Sequence, residues 1–136
     1  MKKIVLLLLF ISTISFAQDN IILKSFDSFE LDTKRPVKIY LPPSYEENKE
    51  STYPVAVVFD AEYLFDLYVA NSKLFASKNK APEQIIVGIF QNQEEERYTD
   101  CDYSIDTGLP NKESTKFYGF IKNELIGYIE DNYRTS

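Results

Sequence analysis

The chain has 136 residues, which is the length of one small domain. Its hydrophobic content of 44%, with ten tyrosines and ten phenylalanines, excludes a disordered or collagen-like chain. The net charge of −6 argues against nucleic acid and anionic membranes as partners. Histidine is absent and Cys101 is the only cysteine, so neither an internal disulfide nor a zinc site is expected. Cys101 itself is expected to be partly buried.

The N-terminal segment has the three parts of a signal peptide in the right order. A pair of lysines precedes an unbroken apolar run at residues 4–11, and Ser15 and Ala17 are the small residues that a signal peptidase reads. The apolar run is shorter than the ~20 residues of a membrane span. We therefore expect residues 1–17 to be removed and residues 18–136 to be periplasmic or secreted, with no membrane attachment.

The first part of the domain predicts two strands. Residues 21–29 begin with an apolar run and settle into alternation, which is typical of an edge strand. Residues 33–36 form a polar break, and residues 37–41 then alternate as in a half-buried strand. The prolines at 42–43 end this strand because proline donates no backbone hydrogen bond. Residues 46–52 are predicted to form a charged loop.

The middle of the chain predicts strands that alternate with a helix. Residues 55–59 and 84–90 are continuous apolar runs, as expected for strands buried on both faces of a largely parallel sheet. Residues 63–75 predict a helix between them. Its expected buried stripe consists of Leu64, Leu67, Tyr68, Leu74 and Phe75. This order of elements predicts an α/β sheet.

The last part of the chain predicts a long polar connection followed by a helix. Residues 91–116 are polar, and connections of this length are usually functional or disordered. Residues 112–133 predict a helix with one broad apolar face and with Ser114 or Thr115 as its N-cap. Most aromatic side chains fall on apolar periodic positions, which indicates core packing.

One ordered set of segments resembles the esterase D-like family of α/β-hydrolases. It begins with RPVKIYLPPSY at residues 35–45 and continues with YPV at 53–55 and an apolar strand ending at Asp60. The IIVGI strand, an arginine and an aspartate in the next loop, and an FxxFIxxEL helix follow in the family's order. The resemblance covers about residues 22–133. It implies the N-terminal part of an α/β-hydrolase fold, in which antiparallel strands lead into a parallel sheet with flanking helices.

The same resemblance implies ester hydrolysis by a Ser–His–Asp/Glu triad whose serine lies in a GxSxG turn. The sequence contains neither GxSxG nor histidine, and Ser136 lacks the flanking glycines. We therefore expect an inactive N-terminal fragment of an exported serine esterase that needs no cofactor. The expected substrate is a siderophore-type ester or a carbohydrate ester such as a feruloyl ester. A non-catalytic hydrolase-like protein that binds a ligand or partner is the alternative, and the oligomeric state is open.

In this family the loop after the third strand supplies one backbone N–H to the oxyanion hole. That loop often reads Asp-Gly, and here it reads Asp60-Ala61-Glu62. The resemblance therefore implies the N–H of Ala61 as the donor, with that of Glu62 as the alternative. Alanine tolerates a positive φ poorly, so the loop geometry is expected to differ from the family's. A plain strand-to-helix turn with Asp60 as the N-cap is an equal interpretation, and both can hold.

Arg97 and Asp100 follow the second buried strand, where open α/β sheets bind ligands. Their loop is similar to one in siderophore esterases, which implies a substrate-binding Arg97 and a structural Asp100. A guanidinium can bind an acyl oxygen or a carboxylate in bidentate fashion. The other interpretation is an Arg97–Asp100 pair that orders the loop. Tyr63 and Phe65 are predicted pocket walls, and residues 94–96 a solvated acidic run.

Overall fold

The computed structural model describes residues 20–91 and 94–136. The predicted signal peptide, residues 1–17, therefore lies outside the described residues. None of the helices in the described part of the chain combines the length and the apolar character that a membrane span requires.

A mixed sheet of four strands forms the centre of the fold. The strands are β1 (Asn20–Ser28), β2 (Thr33–Leu41), β3 (Val55–Val58) and β4 (Ile85–Ile89). They lie in the order β1-β2-β4-β3. Strand β2 pairs with β1 and β4 in antiparallel fashion, whereas β3 and β4 are parallel. The predicted α/β fold, with antiparallel strands leading into a parallel pair, is confirmed.

Helices cover both faces of this sheet. They are α1 (Ser44–Glu47), α2 (Ala61–Ser77), α3 (Glu94–Asp100), α4 (Lys112–Gly119) and α5 (Ile126–Asn132), with a π-helical segment (Phe120–Leu125) joining α4 to α5. Helix α2 packs on one face, and the helix that runs from α4 to α5 packs on the other. Strand β4 lies between these layers and is buried throughout, as its continuous apolar sequence predicts.

The π-helical segment explains how one helix keeps its apolar side chains on the sheet. Phe120 and Leu125, at its two ends, are both fully buried. In an uninterrupted α-helix these positions would point about 140° apart, because each residue turns the helix by about 100°. The wider turn brings Leu125 and Ile129 onto the same face as Phe117 and Phe120.

Helix α2 exists where the sequence predicts a helix, but its predicted buried stripe is wrong. Ala61, Phe65, Val69 and Ser72 face the sheet instead. The side chains of the predicted stripe are about half exposed, apart from partly buried Leu64. The helix carries two apolar faces, and the face that begins with small Ala61 fits closely against β4. We call the exposed set the outer face of α2: Tyr63, Leu67, Tyr68, Leu74 and Phe75.

Close approach of α2 to β4 depends on Gly88. A Cβ atom at this position would lie 2.9 Å from the Cβ of Ala61 and closer still to the ring of Phe65. We expect Gly88→Ala to lower the free energy of unfolding by about 1–3 kcal/mol because the helix must move away from the strand. Gly127→Ala is the matched control, since an added Cβ there meets nothing within 4 Å. It should raise the stability by about 0.5–1 kcal/mol. Urea unfolding measures both, and equal effects would contradict the close-packing argument.

Several predicted boundaries are wrong for identifiable reasons. Residues 33–36 belong to β2 and do not form a polar break, because Arg35 is buried in an ion pair. The predicted charged loop begins after the short helix α1, and the polar connection at 91–116 contains α3. The exposed tyrosines and phenylalanines also show that core packing accounts for only part of the aromatic content.

The N-terminus of α4 differs from its prediction as well. Asn111, and neither Ser114 nor Thr115, occupies the N-cap position. Ser114 lies within the first turn, where its hydroxyl donates to the carbonyl of Thr99 at 2.9 Å and so ties α4 to α3. A serine in the first turn and a serine at the cap have the same sequence signature, which accounts for the error.

The last residues of the chain lie beside the N-terminal flank of β3. Tyr53 and Thr135 form a parallel bridge. The N–H of Tyr53 donates to the backbone carbonyl of Arg134 at 2.9 Å, and the N–H of Ser136 donates to the backbone carbonyl of Tyr53 at 3.1 Å. The guanidinium of Arg134 stacks over the Tyr45 ring at 3.8 Å. Among the described residues, β3 is an outer strand of the sheet, and this bridge is next to its outer edge.

Candidate active site

The carboxyl ends of β3 and β4 lie at the same edge of the sheet because the two strands are parallel. The turn from β3 to α2, the segment after β4 and helix α3 meet at this edge. A network of polar side chains connects them, and it contains most of the residues that the sequence singles out.

The turn from β3 to α2 depends on an unusual backbone conformation at Asp60. Asp60 has φ 53° and ψ 47°, the left-handed conformation that aspartate adopts more readily than most residues. The positive φ therefore falls on Asp60, and Ala61 is an ordinary first helical residue. The expected difficulty with alanine at position 61 does not arise. Asp60 is the N-cap by position, but its side chain makes no capping hydrogen bond.

Two backbone N–H groups at the start of α2 are free. The N–H groups of Tyr63 and Leu64 donate to the carbonyl of Asp60 at 3.1 Å and 3.0 Å. Those of Ala61 and Glu62 have no hydrogen-bond partner among residues 20–91 and 94–136. Free N–H groups at a helix N-terminus, together with the helix dipole, favour a negatively charged ligand atom. Both predicted donors are therefore available.

Gln91 connects this turn to the end of β4. Its side chain is buried, and its Oε1 accepts from the N–H of Asp60 at 3.3 Å. Its Nε2 donates to Asp100 at 2.9 Å, and its backbone N–H donates to the carboxylate of Glu62 at 2.8 Å. The residues on both sides of Ala61 are thus bonded to one glutamine.

The main partner of Asp100 is Arg35. The Arg35 guanidinium donates to the two carboxylate oxygens of Asp100 at 2.6 Å and 3.3 Å and to the carbonyl of Phe90 at 3.3 Å. Both side chains are buried, with 3% and 5% of their surface exposed. The ring of Phe117 lies 5.5 Å from the guanidinium carbon. This ion pair fixes α3 against the start of β2.

The alternative pairing of Arg97 with Asp100 is wrong. Arg97 bonds the carboxylate of Asp60, with its Nε at 2.9 Å and 3.0 Å from the two oxygens. The thiol of Cys101 and the carboxylate of Asp60 raise the pKa of Arg97 above its ordinary value. Cys101 is exposed, contrary to the expectation of a partly buried thiol. The acidic run is also less solvated than expected, since Glu96 is half-buried and lies 4.0 Å from Arg35.

An apolar cavity of about 270 Å³ adjoins the turn. It lies between the segment after α3 and helix α4, and four of its lining residues are aromatic. The lining residues include Phe59, Tyr103, Phe117, Tyr118 and Ile121. Asp100 and Ser114 add polar groups. A larger groove of about 840 Å³ lies at the opposite end of the sheet, beside Pro43 and Glu83, and contains none of the predicted site residues.

The predicted pocket walls on α2 do not line this cavity. Tyr63 is 73% exposed and belongs to the outer face of α2. Phe65 is fully buried between α2 and the sheet. Tyr63 and Phe65 are two positions apart in α2. Their side chains therefore point about 200° apart around the helix axis and lie on opposite faces.

Comparison with protein families shows where the chain belongs. Residues 28–136 match the model of the family described as "Putative esterase". The chain belongs to this esterase family. The match covers most of the described residues, including the turn at Asp60 and the whole polar network. No curated protein matches the chain.

Solved structures of esterases share the fold. An IroE-like serine hydrolase from Shewanella oneidensis is 26% identical, with a TM-score of 0.67 over 85% of this chain and 39% of that one. The enterobactin esterase of Shigella flexneri is 15% identical (TM-score 0.66, 85% and 27%). A ferulic acid esterase from Anaeromyces mucronatus is 16% identical (TM-score 0.61, 91% and 47%). The last two show the fold alone. The chain spans less than half the length of each of these relatives.

Two members of the network could not be identified from the sequence. Arg35 lies in the segment that resembles the family, but only its burial against Asp100 gives it a role. Gln91 lies two residues beyond the end of β4, and a polar residue so soon after a buried strand is the one local signal it offers. Their partners are distant in sequence, so no spacing or periodicity indicates either residue.

Proposed function

We propose that this chain forms the oxyanion-binding part of an exported esterase that hydrolyses carboxylic esters. The observation that carries the proposal is the free N–H of Ala61 at the start of α2, two residues after Phe59, which lines the apolar cavity. Membership of the esterase family supports it. The signal-peptide pattern of residues 1–17 supports export.

The chemistry of ester hydrolysis explains why such a group would matter. Attack on an ester carbonyl converts its oxygen into an oxyanion, and a fixed N–H donor stabilises this charge without reorganising. The 136 residues contain no histidine and no GxSxG, so a nucleophile and a base have to come from outside them.

The proposed substrate is an ester that places an aromatic group in the cavity. Its aromatic walls and its position beside the turn support a siderophore-type or a feruloyl-type ester. Arg97 leads us to favour the siderophore type. Its side chain is 45% exposed while its Nε bonds Asp60, so donor groups remain for a carboxylate or an acyl oxygen.

A chimaera tests this proposal. Residues 20–136 would replace the corresponding segment of the Shewanella serine hydrolase, which would supply the remainder of the fold. We expect the chimaera to hydrolyse p-nitrophenyl acetate, and residues 18–136 alone to show no turnover. A folded chimaera without activity would contradict the oxyanion role. Turnover by residues 18–136 alone would contradict the need for an outside nucleophile.

The alternative of a binding protein without turnover makes a different prediction. The polypeptide that naturally accompanies residues 1–136 would then lack either a GxSxG turn or a later histidine. A folded chimaera would still be active in that case, so the natural coding sequence has to be read beside the chimaera assay. An intact pair of motifs would favour the enzyme.

A further inference from the structure

We propose that Gln91 is the positioning residue for the turn that presents the N–H of Ala61. This inference rests on the proposed oxyanion role of that N–H. Gln91 forms no hydrogen bond with Ala61 and does not line the cavity. It acts through Asp60 and Glu62, the residues on either side of Ala61.

Two hydrogen bonds from Gln91 hold the residues on either side of Ala61, while the N–H of Ala61 itself stays free. We call this pair of hydrogen bonds the brace. The side-chain carbonyl of Gln91 accepts a hydrogen bond from the N–H of Asp60, and the backbone N–H of Gln91 donates one to the carboxylate of Glu62. The first of these bonds also removes the Asp60 N–H from competition as a donor. Ala61 is therefore the first free donor in the turn, and its peptide plane is fixed by its two neighbours.

The orientation of the Gln91 amide is determined by its surroundings. Its nitrogen faces the Asp100 carboxylate at 2.9 Å, which only accepts hydrogen bonds, and its oxygen faces the Asp60 N–H, which only donates. Arg35 in turn fixes both oxygens of Asp100. A buried chain of partners thus runs from β2 to the turn. Only a side chain with one donor and one acceptor at this spacing completes it.

Gln91→Glu tests the proposal with almost no change of shape. At about pH 8 the introduced carboxylate would face Asp100, lose the donor and repel its partner, so the brace should open. Burial and the Asp100 charge should raise the pKa of the introduced group. At about pH 5.5 its protonated form offers an O–H to Asp100 and a C=O to Asp60, which restores the brace. The effect of the substitution should therefore be present at high pH and lost at low pH.

The measurement is hydrogen exchange with residue-level mass spectrometry on residues 18–136 at low micromolar concentration. We expect the amide of Asp60 to exchange about tenfold faster in Gln91→Glu than in the unsubstituted chain at about pH 8, the value of one lost hydrogen bond. The ratio should return to about one at about pH 5.5. Gln84→Glu is the control, because Gln84 donates to the rotatable hydroxyl of Ser72 at the other end of β4.

Two outcomes would overturn the inference. One is unchanged exchange at Asp60 at both pH values. The other is an equal loss of protection at both pH values that extends to α4, because a structural defect alone would not follow the titration of the introduced group. The Gln91→Glu substitution in the chimaera separates this inference from the proposed function. A pH-dependent change in exchange with no loss of kcat relative to the unsubstituted chimaera would support the brace and contradict the oxyanion role of Ala61.

Discussion

Asp100→Ala is expected to lower the free energy of unfolding by about 3–5 kcal/mol. The substitution leaves the buried guanidinium of Arg35 without its two charge-assisted hydrogen bonds. Its remaining acceptor is the carbonyl of Phe90, at 3.3 Å. Gln91 loses a partner at the same time. Since a whole domain is stable by only about 5–15 kcal/mol, this loss is a large share of the total stability.

Urea unfolding followed by circular dichroism measures this effect. Asp106→Ala, in the exposed segment after α3, is the control and should change the stability by less than about 0.5 kcal/mol. The double variant Arg35→Met with Asp100→Leu removes both charges and should be more stable than Asp100→Ala alone. If Asp100→Ala and Asp106→Ala unfolded at the same urea concentration, the result would contradict the importance of the buried Arg35–Asp100 pair.

Ala61→Pro in the chimaera is expected to lower kcat about 10²–10³-fold, the usual effect of losing one oxyanion donor. Proline has no N–H, and its fixed φ suits the first position of a helix. The donor is therefore removed while α2 can still form. KM should change little, because the hydrogen bond forms most strongly in the transition state.

Glu62→Pro distinguishes the two candidate donors. It removes the second free N–H and also the carboxylate that Gln91 bonds, so Glu62→Ala is needed to separate these effects. A large loss of kcat in Glu62→Pro alone would assign the donor to Glu62. Because proline restricts the residue before it, the helix content of Ala61→Pro has to match that of the unsubstituted chimaera.

The sequence predicts the sheet well and the α2 packing poorly. Residues 55–59 and 84–90 are continuous apolar runs, which have one simple explanation in a sheet covered on both faces. Helix α2 offers two apolar faces, and hydrophobic periodicity cannot tell which of them meets the sheet. The face that meets the sheet is decided by the close contact of Ala61 with Gly88, which are distant in sequence and both small.

The candidate site divides in the same way. The turn at residues 60–62 could be located from the order of elements alone, because a helix begins where a buried strand ends. The pairing of Asp100 with Arg35 could not, since 65 positions separate the two residues. Sequence proximity favours Arg97 as the partner of Asp100, but the fold brings Arg97 to Asp60, which is 37 positions away.

The two faces of α2 also determine how firmly the free N–H groups are held. Ala61, Phe65, Val69 and Ser72 are the buried residues of this helix, while its outer face contacts water. Elements that bury few apolar contacts open at a lower free energy than the rest of a protein. Helix α2, including its first turn, should therefore unfold locally before β4 does. The brace at Gln91 acts on the first turn of this helix, and burial of the outer face would raise the free energy of that opening.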